Sequence, residues 1–343
     1  MKRLLAASTM GILAGTTASF AQGSTLTVAY YGGNWGEAFD ACVAKPFAEA
    51  TGVKVVAEIG NSTTTLAKLQ QQAADAVIDV AYLDGGISEL AQESGVLQPI
   101  DLGTLANAGA LKPQAIYKAG NDVFAVSAGY YSLGLTYNTQ EVTETPTSWD
   151  ALWNEDYAGA VTIPSPNNSA GVPFVLFLNG VYGDGTGNLD PTFAKLKELD
   201  AGLLYDTSGA ASNAFQSNEV IIGPHFNVGA WDLIDAGMPI GFVVPKEGVW
   251  ATDARMHIVK GTKNPDAAAK FIDTALSSQA ATCLAEQLYL GPAVDGVELP
   301  AEVEKKLPWG EGGSIDNLKL FDWTEVNAQR QDITDRWNRE IAN

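Results

Sequence analysis

The chain has 343 residues, 46% of them apolar, and sets 20 basic side chains against 40 acidic ones for a formal net charge of −20. A surface of that sign repels nucleic-acid phosphates and anionic lipid and concentrates cations, which excludes nucleic acid as a partner and admits a cationic ligand without requiring one. The length exceeds what one hydrophobic core usually serves, so two lobes are expected.

Lys2 and Arg3 precede an apolar run from Leu4 to Phe20 that ends in Ser19-Phe20-Ala21 ahead of Gln22. This is the pattern of an export signal, residues 1–21, cleaved after Ala21. The run is interrupted by Ser8, Thr9, Thr16 and Thr17 and is too short and polar for a membrane span. No cysteine follows it to carry a lipid. The exported chain is expected to be soluble and periplasmic. Its only cysteines, Cys42 and Cys283, allow one disulfide in that oxidising compartment, with two buried free thiols as the alternative.

Leu26 to Tyr31 reads as a strand, stopped by Gly32-Gly33-Asn34, and Trp35 to Ala50 carries apolar residues at helical spacing. Val53 to Ile59 is a second strand running into Gly60-Asn61-Ser62-Thr63-Thr64 and a helix over Leu66–Ala76. Ile78 to Leu83 is a third, ending at Asp84-Gly85-Gly86 before a helix over Ile87–Glu93. Strands alternating with helices predict an α/β fold with a parallel sheet. Ligands of such sheets sit beyond the carboxyl ends of the strands, which singles out these three loops. A second α/β pattern follows strands at Phe124–Ser127 and Leu133–Tyr137. Its helices are expected at Ser148–Trp153, Val172–Tyr182, Pro191–Leu199 and Val228–Ala236, and its strands at Glu219–Ile222, Gly241–Pro245 and Met256–Val259. Asn264–Leu288 reads as one or two helices, and helices from Pro300 and Glu325 close the chain.

The chemical inventory argues against an enzyme. His225 and His257 are the only histidines, and neither cysteine sits in a nucleophile-like turn. No Walker-type loop or HExxH is present, so no cofactor is expected. Asp184 to Asp190 alternates oxygen side chains but lacks the glycine and glutamate of a calcium loop. The pairs Tyr30-Tyr31 and Tyr130-Tyr131 suit phenolate ligation of ferric iron; alternation across a strand, one ring in the core and one in the cleft, explains them more simply. More telling is the mixture of Tyr31, Trp35, Asp84, Tyr130, Tyr131, Phe226, Trp250 and Asp253 at expected loop ends. Aromatic faces hold alkyl chains and cationic nitrogens, and a carboxylate fixes an ammonium.

Ala29-Tyr30-Tyr31-Gly32-Gly33-Asn34-Trp35, Pro245-Lys246-Glu247-Gly248 and Phe321-Asp322-Trp323 resemble bacterial extracellular solute-binding proteins of the polyamine-binding type. The resemblance implies a type II periplasmic-binding-protein fold, two α/β lobes with a ligand cleft and a hinge. One lobe would hold 24–128 and 250–298, the other 129–249 and 299–343, placing Cys42 and Cys283 in the same lobe. It implies a monomer that closes on a small-molecule ligand and delivers it to the membrane permease of an ABC importer. Asp253 would grip a ligand amine, Phe226 would stack on it and Asn227 would be a polar support. The family's usual serine near the third strand end is Asp84 here, a second carboxylate suited to a second amine. Asn168 and Ser169, in the loop Ser165–Ser169, are neutral where some relatives have an acid. The ligand expected is therefore a polyamine such as putrescine or spermidine, with a zwitterion or thiamine-like cation as the alternative.

Overall fold

The structure is a computed structural model and describes residues 25–183, 185, 187–310 and 312–342. The export signal at 1–21, and Asp184 and Thr186 of the oxygen-rich turn, lie outside the described residues.

The first strand, β1 (Thr25–Tyr30), buries Leu26, Val28 and Tyr30 and leads into a loop where Gly33 takes φ 65°, a left-handed conformation that suits glycine. Helix α1 (Asn34–Phe39) continues through a π-helical turn at Asp40–Ala44 into α2 (Lys45–Thr51), so the expected single helix is interrupted. Next come β2 (Lys54–Ile59), α3 (Ser62–Gln71), β3 (Val80–Asp84) and α4 (Ile87–Glu93). Asn61 caps α3 by accepting from Thr64 N at 2.8 Å. Both β2 and β3 pair parallel with β1.

After β4 (Leu97–Gln98) and β5 (Ile116–Ala119), the two strands expected at Phe124–Ser127 and Leu133–Tyr137 are one, the 17-residue β6 (Asp122–Asn138). The linking Ala128-Gly129-Tyr130-Tyr131-Ser132 stays extended because it is buried on both faces. The second α/β pattern contains two strands and a helix without a sequence forecast. Its elements are β7 (Val161–Pro164), α5 (Gly171–Tyr182), α6 (Asp190–Lys197), β8 (Ala201–Tyr205), α7 (Ser208–Gln216), β9 (Ile222–Phe226), α8 (Asn227–Asp235) and β10 (Ile240–Val243). Strand β9 lies downstream of the Glu219–Ile222 forecast, and Trp149–Trp153 is a 3-10 turn. The chain then forms β11 (Trp250–Val259), α9 (Pro265–Ala275), α10 (Ser278–Leu288), α11 (Ala301–Glu304), β12 (Lys319–Leu320) and α12 (Trp323–Glu340). The break between α9 and α10 falls at Ser277, which caps α10 by accepting from Ala280 N at 3.2 Å.

The sheet runs β2-β1-β3-β11-β6-β9-β7-β8. Two parallel sets, β1–β3 and β7–β9, are joined through the long antiparallel pair β6 and β11. The sulfurs of Cys42 and Cys283 are bonded, tying the π turn to α10 with Cα atoms 5.6 Å apart. Helix α12 straps the two sets together. Its Trp323 lies so close over Gly85 that a Cβ there would fall 2.4 Å from the indole, and Asn327 donates to Gly86 O at 2.7 Å. Further along, Arg336 pairs with Asp190 at 2.8 Å.

Candidate functional site

The loops that follow β1, β2 and β3 face those that follow β7, β8 and β9 across a cleft of about 620 Å³. Two parallel sets present their carboxyl ends to the same space, where loops and helix starts bring unpaired polar groups together.

Asp84, the last residue of β3, is the focus of the first wall. Tyr31 donates its phenolic hydrogen to Asp84 Oδ1 at 2.5 Å, and Tyr131, from the middle of β6, donates to the same oxygen. The Asp84 backbone N–H is taken by Ser62 Oγ at 2.9 Å. Among the described residues nothing donates to Asp84 Oδ2. Burial, reinforced by the Asp84 charge, holds the Tyr31 and Tyr131 phenols well above the usual tyrosine range, so both remain donors. One carboxylate oxygen is thus anchored by two phenols, and the other has no hydrogen-bond donor among the described residues.

Aromatic rings form a continuous wall around it. Trp35 meets Tyr31 edge to face at 5.0 Å and Tyr131 at 5.2 Å, and Tyr131 meets Phe226 at 4.9 Å. Phe226 comes from the end of β9, so the wall spans both strand sets. These quadrupoles suit alkyl chains and ammonium groups.

The opposite wall is neutral. Asn168 and Ser169 follow β7, Thr207 is the N-cap of α7, and Ser208, Ser212 and Asn213 lie within that helix. Asn168 accepts from Ala170 N at 2.9 Å, which fixes its loop. Asp232, on α8, stands at the exposed rim. The cleft lining contains two carboxylates, Asp84 and Asp232, and neither lysine nor arginine. Its one histidine, His225, is pulled down to about 4 by burial and is neutral.

The cleft therefore gathers Tyr31, Trp35, Asp84, Tyr131, Asn168, Ser169 and Phe226 of the residues singled out from sequence, and four others stand outside its lining. Tyr130 points away from Tyr131 into the core, and its backbone exchanges hydrogen bonds with Gly291. Asn227 is buried, accepting from Ser132 N at 3.0 Å and donating to Tyr289 O at 3.1 Å. Trp250 backs the wall from behind, 5.9 Å from Phe226, under Phe321 and Trp323. Asp253 is fully buried and occupied: Arg255 Nε donates to it at 2.9 Å and Tyr117 at 2.8 Å. Burial pushes the Asp253 carboxyl up, opposed by the neighbouring guanidinium. Arg255 also pairs with Glu89 and lies 3.4 Å over the Tyr117 ring, closing a buried polar network beneath the cleft. The Lys246-Glu247-Gly248 segment is a brace, since Glu247 accepts from Ser148 Oγ at 2.5 Å and Trp149 Nε1 donates to Gly248 O at 2.9 Å.

For ferric iron the tyrosines are poorly arranged. Tyr30 and Tyr130 are buried outside the cleft, and Tyr31 and Tyr131 spend their protons on Asp84. Sequence reasoning missed His225, Asp232 and the whole of α7 as parts of the cleft, whereas Asn61 lies in a loop it singled out. Only the strand-end rule applied to β8 could have found α7, and β8 itself was not recognised.

Residues 43–308 match the family described as bacterial extracellular solute-binding protein. The chain is 26% identical to the spermidine/putrescine-binding periplasmic protein of Escherichia coli over 84% of this chain and 82% of that protein. It is 24% identical to the gamma-aminobutyric acid-binding protein of Pseudomonas aeruginosa over 95% and 94% of the two chains. In fold it is similar to an ABC transporter substrate-binding protein from Bradyrhizobium japonicum, with TM-score 0.77 at 19% identity over 93% of this chain and 99% of that one. Among the described residues no helix is long and apolar enough to cross a membrane.

Proposed function

The chain belongs to the bacterial extracellular solute-binding proteins, the substrate-binding components of ABC transporters, and we propose that it captures a small amine-bearing solute by an ammonium group placed on Asp84. The observation that carries this reading is the Asp84 carboxylate, with one oxygen anchored by Tyr31 and Tyr131, the other unpartnered among the described residues, and aromatic faces around it. A buried carboxylate with an open oxygen favours a cation strongly, because pairing removes the cost of leaving that charge unpaired. Polyamines and amino-acid derivatives share this ammonium end, and relatives named for both kinds of solute are consistent with it.

In this reading the two lobes are 24–128 with 250–298 and 129–249 with 299–343, hinged on β6 and β11 and closing over the ligand. The protein works in the periplasm after loss of residues 1–21 and passes its cargo, as a monomer, to an inner-membrane permease. Asp253, ion-paired to Arg255, supports the floor without touching the solute.

A thermal-shift screen of the mature protein against polyamines, amino acids, thiamine and ferric citrate tests the class, since a ligand that binds only the native state raises Tm. A shift from amines is expected. Silence from every amine with a shift from ferric citrate would overturn the reading.

A further inference from the structure

Ser212 lies just over one turn into α7, where Gly209, Asn213 and Gln216 share the cleft-lining face. Its Oγ is 2.8 Å from His225 Nε2. His225 is buried at the end of β9, stacked on Phe215 with ring centroids 6.3 Å apart, and its Nδ1 has no hydrogen-bond partner among the described residues.

A neutral imidazole carries one proton, on one nitrogen or the other. On Nδ1 it would make a buried N–H with no acceptor, a rare and costly arrangement. On Nε2 it is used, donating to Ser212. In that tautomer Ser212 Oγ is the acceptor, and its own hydroxyl hydrogen needs another partner. Helical hydroxyls commonly return it to the carbonyl four residues back, as Ser94 does to Leu90 O at 2.6 Å and Thr274 to Lys270 O at 2.9 Å. Among the described residues Ser212 has no such bond to Ser208, and Ser212 is part of the cleft lining.

We infer that Ser212 is a specificity-determining residue: its hydroxyl, turned outward by His225, donates to a hydrogen-bond acceptor at the far end of the solute and so selects amines carrying a carboxylate or carbonyl over simple diamines. The rest of this wall agrees. Helix α7 contains no acidic residue to receive a second ammonium, and Thr207, Ser208, Asn213 and Gln216 are all able to donate. A diamine would have to turn its second ammonium to Asp232 at the exposed rim.

The inference rests on the amine reading of Asp84. Isothermal titration of γ-aminobutyrate and putrescine, equal in chain length and different at one end, separates the two claims. The wild type is expected to prefer γ-aminobutyrate. Ser212→Ala should weaken that ligand by about tenfold or more, as a lost hydrogen bond to a charged group does, and change putrescine by less than about twofold. Ser212→Thr, which keeps the hydroxyl, should restore the preference. His225→Gln retains an N–H donor near the Nε2 position and should preserve it, whereas His225→Phe should reduce it. Ser212→Ala affecting both ligands equally or neither, or a wild-type preference for putrescine, would overturn the inference while leaving the amine reading intact. A wild type that binds no amine of either kind would remove the amine reading and this inference with it.

Discussion

Tyr131, in the middle of the strand that crosses from one parallel set to the other, donates its phenolic hydrogen to Asp84 at the end of β3. The bond makes the carboxylate a joint property of two distant parts of the chain, and Tyr31 completes it from a third. Tyr131→Phe keeps the ring in the aromatic wall and removes one donor. Titration of the mature protein with its tightest amine should show binding weakened by about threefold to tenfold, roughly 0.7–1.4 kcal/mol. An unchanged Kd would reduce Tyr131 to a packing role.

Trp35 contacts Tyr31, Phe39 and Tyr131 and remains partly exposed to the cleft. Trp35→Ala should lose about tenfold in affinity, the scale of a desolvated cation–π contact, whereas Trp35→Phe should lose much less. Equal losses in the two variants would mean that the indole is needed for its shape alone.

Asp253 separates support from contact. Removing its charge leaves Arg255 buried beside Glu89 only, and breaking a buried ion pair costs about 3–5 kcal/mol. Asp253→Asn should therefore lower Tm markedly, yet well below that Tm the folded variant should bind its amine with the wild-type Kd. A stable variant with lost affinity would return Asp253 to the ligand shell.

Acid sensitivity follows from the buried histidines. Burial pulls His225 down to about 4 and His257 to about 3, the latter held between Ala81 O at 3.0 Å and Ser88 Oγ at 2.8 Å. Both folded-state values lie below the unfolded value of about 6.5, so the unfolded chain takes up protons first. The stability these residues contribute is complete above about pH 6.5 and is lost as pH falls toward their folded values. Each should remove on the order of 2 kcal/mol between pH 7 and pH 5, read by denaturant unfolding. His257→Gln should flatten that slope, and a slope unchanged by the substitution would contradict the assignment.

The Cys42–Cys283 bridge spans 241 residues of sequence and lies away from the cleft. A closed loop of that length restricts the unfolded chain by an amount worth about 5 kcal/mol in the chain-entropy model, an upper value. Reduction should lower Tm with little change in amine affinity measured on the folded protein.

The first wall of the cleft was legible because strand, glycine loop and helix succeed one another with clear periodicity from Thr25 to Glu93, and a strand-end rule then picks Tyr31, Trp35 and Asp84. The second wall was not. Strands β7 and β8 are short, and Ser208–Gln216 is a run of small and polar residues whose face cannot be assigned without its neighbours. Strand β6 hides its own phase, since nearly every residue is buried and alternation carries no signal, so which of Tyr130 and Tyr131 faced the cleft was settled only in three dimensions. Asp253 has the same difficulty within the wholly buried β11, where a carboxylate's role depends on Arg255 two positions on.

Calorimetric titration of wild type and Asp84→Asn with the amine that raises Tm most tests the account at its centre. Asparagine keeps the size of the side chain and removes the charge that an ammonium needs, and truncating one partner of a buried charge pair costs about 2–5 kcal/mol. We predict a loss of about a hundredfold or more, with the variant still folded. Binding within about threefold of wild type would contradict the placement of the ammonium on Asp84.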